Sequence, residues 1–113
     1  MKDFKFEGRV YYNPIELTHS YIGGTWKMPV LLALRKGSVR YTVLKKTVAH
    51  ISDKMLYSVL RDLEKKDMIT RTVFAEKPPR VEYRLTALGR KSIKVIDSLH
   101  GFGEYLIKLN GIF

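Results

Sequence analysis

The sequence predicts a mainly α domain with one small β-hairpin, an α+β arrangement in a chain of 113 residues. Three observations predict it. Five segments carry apolar residues at helical spacing, and each is bounded by a capping residue, a proline or a glycine. One stretch, FAEKPPRVEYRLT from Phe74 to Thr86, instead alternates apolar and polar residues beyond a Pro-Pro pair. No repeat, low-complexity tract or long linker interrupts the chain, so residues 1–113 read as a single domain.

Residues 1–13 form an N-terminal arm, mixed in character and rich in aromatics (Phe4, Phe6, Tyr11, Tyr12). Asn13 suits a helix cap and Pro14 the first turn. That first helix carries Ile15, Tyr21 and Ile22 and stops at Gly23-Gly24. Thr25 is expected to cap a second helix with Trp26, Val30 and Leu34 at core spacing, ending at Gly37. Pro29 falls near its first turn, where proline is tolerated.

Ser38 to Tyr41 reads as an extended link, and Thr42 as the cap of a short third helix with Val43, Leu44 and Val48. Ser52 caps a fourth helix running to about Lys66, with Leu56, Leu60 and Leu63 as its buried side and Met55 and Val59 flanking them. Asp67 stands where a helix-ending glycine is commonest, and Asp tolerates the left-handed conformation better than most residues. Strands are expected at 69–74 and 81–85, with a tip from Ala75 to Arg80. Thr86 then caps a last helix over 87–109, which Gly101 and Gly103 are expected to bend or shorten.

The formal net charge is +10, and a folded domain this basic usually faces a polyanion. The charge is concentrated. Between Lys27 and Lys54, seven cations stand against a single acid, Asp53. The absence of cysteine removes disulfides, thiolate catalysis and cysteine metal sites. The apolar run Met28 to Leu34 is far shorter than a membrane span, and the first ten residues lack the pattern of a secretory signal. A soluble cytoplasmic protein without a membrane partner is the expectation.

Two short helices followed by a hairpin is the layout of a winged helix-turn-helix. In the fourth helix, Lys54, Ser58, Arg61 and Lys65 form a stripe opposite the leucines. Ser52, Asp53 and Lys54 at its start would enter a major groove first. Arg61 suits either a guanine edge or a phosphate. A plain solvated face is the competing reading of the stripe. In the hairpin, Pro78-Pro79 stiffens the tip and keeps it from pairing as a strand, and Lys77 and Arg80 flank it. A rigid cationic tip can follow a phosphate backbone or minor groove. Arg40, Thr42, Lys45 and Lys46 lie around the start of the third helix, where backbone amides and lysines suit phosphate positioning.

These segments together resemble the HxlR-type winged helix-turn-helix regulators. The resemblance rests on NPIELTHSYIGGTWKMPVLLAL, SVRYTVLKK, ISDKMLYSVLRDLEKKDMITRTVF and PPRVEYRLTALG, in that order, over roughly residues 12–105. It implies a prokaryotic DNA-binding transcriptional regulator acting as a homodimer. The helix from Ser52 would enter the major groove, the hairpin around Lys77 to Arg80 would be the wing, and the N-terminal segment with the last helix would build the dimer interface. Family members often carry a cysteine before the proline of the first helix, and some sense oxidants or electrophiles with it. Here that position is Asn13, so thiol sensing is excluded.

The residues themselves also favour a homodimer. Val95, Ile96, Phe102, Leu106, Ile107, Leu109, Ile112 and Phe113, with the aromatics of the arm, exceed what one small core needs. A two-fold dimer would meet half-sites of double-stranded DNA about 10 bp or a multiple apart, giving a palindromic operator. Two other classes compete. A winged-helix protein-interaction module would show a neutral or apolar recognition face. An enzyme would need a catalytic constellation, and His19, His50 and His100 show no metal spacing and no nucleophile partner. No cofactor is expected. Trp26, Tyr21, Tyr57 and Tyr105 suit either plain packing or a pocket for an unidentified small-molecule effector.

Overall fold

The computed structural model describes residues 2–112, so Phe113 lies outside the described residues. The chain runs as β1 (Phe4–Phe6), β2 (Arg9–Tyr11), α1 (Pro14–Ile22), α2 (Lys27–Ala33), β3 (Val39–Arg40), α3 (Tyr41–Thr47), α4 (Asp53–Lys65), β4 (Ile69–Phe74), β5 (Arg80–Leu85) and α5 (Ala87–Leu109). Helices α2, α3 and α4 close over one apolar core. Val30 and Leu31, Leu44, and Leu56, Leu60 and Leu63 are its centre. Ile69 and Leu85 seal it from the sheet side and Ile96 from α5.

The wing sheet has three strands in the order β3-β5-β4, all antiparallel. Strand β3 is the expected extended link, and it earns strand geometry by pairing Val39 with Tyr83 and Arg40 with Glu82. Strand β5 begins at Arg80, which pairs with Phe74, so the unpaired tip is 75–79. The register places Ile69, Arg71 and Val73 opposite Leu85, Tyr83 and Val81. Side chains alternate faces along a strand, so these six share one face of the sheet, which faces the core at Ile69, Tyr83 and Leu85 and opens to the surface at Arg71 and Val73.

The arm is more ordered than its sequence suggests. Strands β1 and β2 form a separate hairpin, with Phe4 opposite Tyr11 and their rings stacked at 5.5 Å. Its turn holds Glu7 at φ 49° and Gly8 at φ 76°, the positive pair that a tight hairpin turn requires. Glu16 of α1 fixes the hairpin, accepting from the Tyr12 amide at 3.1 Å and pairing with Arg9 at 3.1 Å.

Most helix ends fall where the capping residues put them. Asn13 accepts from the Glu16 amide, Ser52 from the Met55 amide and Thr86 from the Gly89 amide. Asp67 does adopt the left-handed conformation, at φ 59°. Two expected caps are corrected. Helix α2 starts behind Trp26 and α3 behind Arg40, and neither start has a side-chain cap. Thr25 lies outside α2 and Thr42 inside α3. In α3 the chain arrives already aligned by β3–β5 pairing, so the tertiary frame starts the helix rather than a hydroxyl. Helix α2 ends at Ala33, ahead of Gly37, which takes φ 140° in the following turn. Ile15 is 79% exposed rather than in the core. Gly101 and Gly103 do not interrupt α5.

Packing demands glycine at two positions, Gly23, where a Cβ would stand 2.5 Å from the His19 carbonyl oxygen, and Gly89. A Cβ on Gly89 would stand 2.1 Å from the Met68 carbonyl oxygen. The first turn of α5 therefore sits directly on the chain that leaves α4. This close approach fixes the wing root between the two helices.

Candidate nucleic-acid interface

Helices α3 and α4 and the turn between them form the helix-turn-helix. His50 bends that turn at φ 69°, and Ile51 plugs it into the core. Helix α4 is then held from behind by four buried side chains, Leu56, Val59, Leu60 and Leu63. Lys54, Ser58, Arg61 and Lys65 remain exposed along its outer face.

The start of α4 is locked to the start of α3. The Tyr41 hydroxyl donates to Asp53 Oδ1 at 2.7 Å, and the Tyr41 ring stacks on Tyr57 at 4.6 Å, 13° from parallel. Burial and the Asp53 hydrogen bond push the Tyr41 phenol well above its ordinary range, so it stays neutral and donating. Asp53 and Ser52 are therefore engaged within the protein: Ser52 caps the helix and Asp53 orients Tyr41.

Arg40, Thr42, Lys77, Pro78 and Arg80 line one groove of about 440 Å³ between the helix-turn-helix and the wing. Tyr41, Tyr57, Arg71 and Tyr83 complete its wall. The Lys77–Pro78 peptide is cis. Lys77 is exposed at the tip, but Arg80 is not free. Its Nη1 meets Glu76 at 2.8 Å, its Nε lies 2.9 Å from Glu82, and its guanidinium covers the Phe74 ring at 4.1 Å. Arg80 thus braces the wing from inside. Lys45 and Lys46 also stand elsewhere than expected, in the last turn of α3 rather than at its start. There they suit the negative end of the helix dipole, and they lie outside the groove.

Arg71 is the residue that sequence reasoning passed over. It lines both the large groove and a neighbouring cleft that it shares with Tyr57, Arg61 and Glu64. A signal existed: in ITRTVF, Arg71 falls on the face set by Ile69 and Val73. Burial raises the Tyr83 phenol, while Arg71 beside it pulls the other way.

Three acids are paired away from this face, while Asp53, Glu76 and Glu82 lie on it and are engaged by Tyr41 and Arg80. Asp62 holds Lys27 and Lys66, Asp97 holds Arg35 in two bonds of 2.9 and 3.0 Å, and Glu16 holds Arg9. Burial opposes the ionised Asp62, but its two lysines outweigh burial and hold the carboxyl below its ordinary value. Among the described residues, Arg40, Lys54, Arg61, Lys65, Arg71 and Lys77 have no carboxylate in ion-pair contact. Cations without a carboxylate partner therefore line the outer face of α4 and the wing, and others, among them Arg90, Lys91 and Lys94, lie on α5. The four aromatics suggested as an effector pocket are not brought together: Tyr57 lies at this groove, Tyr21 lines a separate cavity, and Trp26 and Tyr105 line neither. No helix is long and apolar enough to cross a membrane, and no cluster of metal-ligating side chains occurs among the described residues.

Comparison with known proteins converges on the same fold. Residues 21–110 match the family model described as HxlR-like helix-turn-helix. An uncharacterized HTH-type transcriptional regulator of Methanothermobacter thermautotrophicus is 38% identical over 94 residues, which cover 83% of this chain and 72% of the relative. The uncharacterized HTH-type transcriptional regulator YtcD of Bacillus subtilis is 38% identical over 97 residues, covering 86% and 77%. The solved structure of YtcD superposes with a TM-score of 0.78 over 85% of this chain and 98% of that one. The redox regulator HypR in its reduced form gives 0.81 at 30% identity, over 89% of this chain and all of that one. With a family model spanning most of its length and a winged helix-turn-helix built as the sequence predicts, the chain belongs to the HxlR-like helix-turn-helix family.

Proposed function

We propose that the protein is a sequence-specific double-stranded DNA-binding transcriptional regulator that acts as a homodimer on a palindromic operator. Helix α4 enters the major groove with Lys54, Ser58 and Arg61, and Lys77 on the wing follows the neighbouring backbone. The observation that carries this reading is the row of exposed cations without a carboxylate partner on α4 and the wing, where Glu76 and Glu82 are taken up by Arg80. A protein-interaction module would show a neutral or apolar face there. Exposed Leu99, Phe102, Leu106 and Leu109 on α5 support a partner copy there. No catalytic role is assigned, and cytoplasmic DNA is the expected partner. With no cysteine in the chain, thiol oxidation is not its signal.

Selection of bound duplexes from a random DNA pool, with titration at two salt concentrations, tests this. A palindromic winner bound at least about a thousandfold more tightly than bulk DNA is expected. Salt-sensitive binding blind to sequence would overturn it. In the same assay Arg61→Ala should lower specific affinity more than non-specific affinity, and Lys77→Ala should lower both about equally.

A further inference from the structure

We propose that the groove between α4 and the wing is a phosphodiester-binding site, with Arg71 as its central cation. The inference rests on the DNA-binding reading and adds a site to it. Four cations and one carboxylate line the groove: Arg40, Arg71, Lys77 and Arg80 against Glu76. Glu76 is already bound to Arg80, so the two cancel. Arg40, Arg71 and Lys77 remain uncompensated around a space of about 440 Å³. That charge needs a bound anion or water, and an arginine fork matches a phosphate in two parallel hydrogen bonds.

The neutral groups fit the same guest. Tyr57 and Tyr83 add phenol groups to the lining, neutral at ordinary pH and able to donate; burial pushes the Tyr83 phenol up while Arg71 pulls it the other way. Tyr41 does not donate into the groove, since its hydroxyl is held by Asp53; instead its ring fixes Tyr57 by stacking. Tyr57 is thus positioned before any ligand arrives, which lowers the ordering cost of binding.

The position selects backbone over base. Arg71 lies on the same face of the sheet as buried Tyr83, its partner across the strands. A base edge in the major groove meets the outer stripe of α4 first. A strand passing from α4 toward the wing tip lays its sugar-phosphate chain across the groove where Arg71 stands.

Arg71→Gln in the full chain tests the assignment, with affinity measured against the selected duplex and a random duplex over a range of KCl concentrations. The expected result is a loss of about tenfold or more for both duplexes, with the slope of log affinity against log salt reduced by about one. Arg71→Lys should keep the slope while losing part of the affinity, which separates lost charge from lost folding. A duplex with one neutral methylphosphonate linkage sharpens the result. At the contacted linkage the wild-type protein weakens, and Arg71→Gln suffers no further loss. Unchanged affinity and slope in both variants would overturn the site while leaving the DNA reading intact. Loss confined to the selected duplex at unchanged slope would make Arg71 a base reader and also overturn it. Failure of the wild-type chain to bind any duplex would remove the DNA reading itself, and this site with it.

Discussion

Helices α4 and α5 are both amphipathic, and they treat their apolar faces in opposite ways. Helix α4 buries Leu56, Val59, Leu60 and Leu63 within 13 residues. Helix α5 has 23 residues and buries only Gly89 and Ile96, while Phe102 is 61% exposed. The core takes up the Leu56, Val59, Leu60 and Leu63 stripe of α4 and leaves Met55 and Tyr57 half exposed at its edges, and the opposite side carries charge. The same core reaches only the first half of α5. The second half keeps Leu99, Phe102, Leu106 and Leu109 at the surface, where apolar area goes unburied at about 25 cal/mol per Å². One helix is finished by its own chain, and the other leaves an apolar face that the proposed second copy would cover.

The largest expected effect lies in the finished helix. Leu60 is 1% exposed, and Leu60→Ala should cost about 2–5 kcal/mol of stability by removing buried contacts and leaving a cavity. Denaturant unfolding measures it, and the cost should be the same at every protein concentration. A loss well under 1 kcal/mol would mean that α4 is not anchored as described.

Phe102→Ala should behave differently. An aromatic at the centre of an interface contributes about 2 kcal/mol, or roughly thirtyfold in dimer affinity. Stability should therefore fall in a concentration-dependent way. Sedimentation equilibrium should show mass shifting toward the monomer. Retention of wild-type mass and stability would place the dimer contact elsewhere and break the contrast between the helices.

Much of this contrast was legible in the sequence. The leucines of α4 recur at helical spacing, and the same helix carries its cations on the far side, so both faces could be read. The excess of apolar residues after Val95 could be read too. What escaped depended on pairing between distant residues. Strand β3 is two residues long and exists only because β5 lies beside it. The arm hairpin turns at Glu7-Gly8, and glutamate is an uncommon occupant of a positive φ. Arg80 looked free beside Pro79, yet the hairpin folds Glu76 and Glu82 onto it. Arg71 carries no motif of its own, and only the register, which sets it opposite Tyr83, brings it to the groove. Thr25 and Thr42 have good capping chemistry, but tertiary geometry began their helices elsewhere.

The smallest effect compares the two helix starts. Ser52 accepts one hydrogen bond, from the Met55 amide at 3.1 Å. Thr86 accepts from the Gly89 amide at 3.0 Å and also donates. Its single proton is shared between the Asp67 carbonyl at 2.6 Å and the Met68 carbonyl at 3.1 Å. Ser52→Ala should cost about 1 kcal/mol, the usual value for a lost cap. Thr86→Ala should cost about 0.5–1 kcal/mol more, because the Asp67 carbonyl loses its hydroxyl donor, while the Met68 carbonyl still accepts from the Thr86 amide at 3.1 Å. Thr86→Ser should recover most of that, since the hydroxyl is what matters in both roles. The order has a structural meaning. The cap of α4 holds only its own helix, whereas the cap of α5 also ties that helix to the residues leaving α4. Equal losses for the two alanine variants would show that the Thr86 hydroxyl bonds to Asp67 and Met68 add nothing. The wing root would then depend on the close contact at Gly89 and on the bond from the Thr86 amide to the Met68 carbonyl.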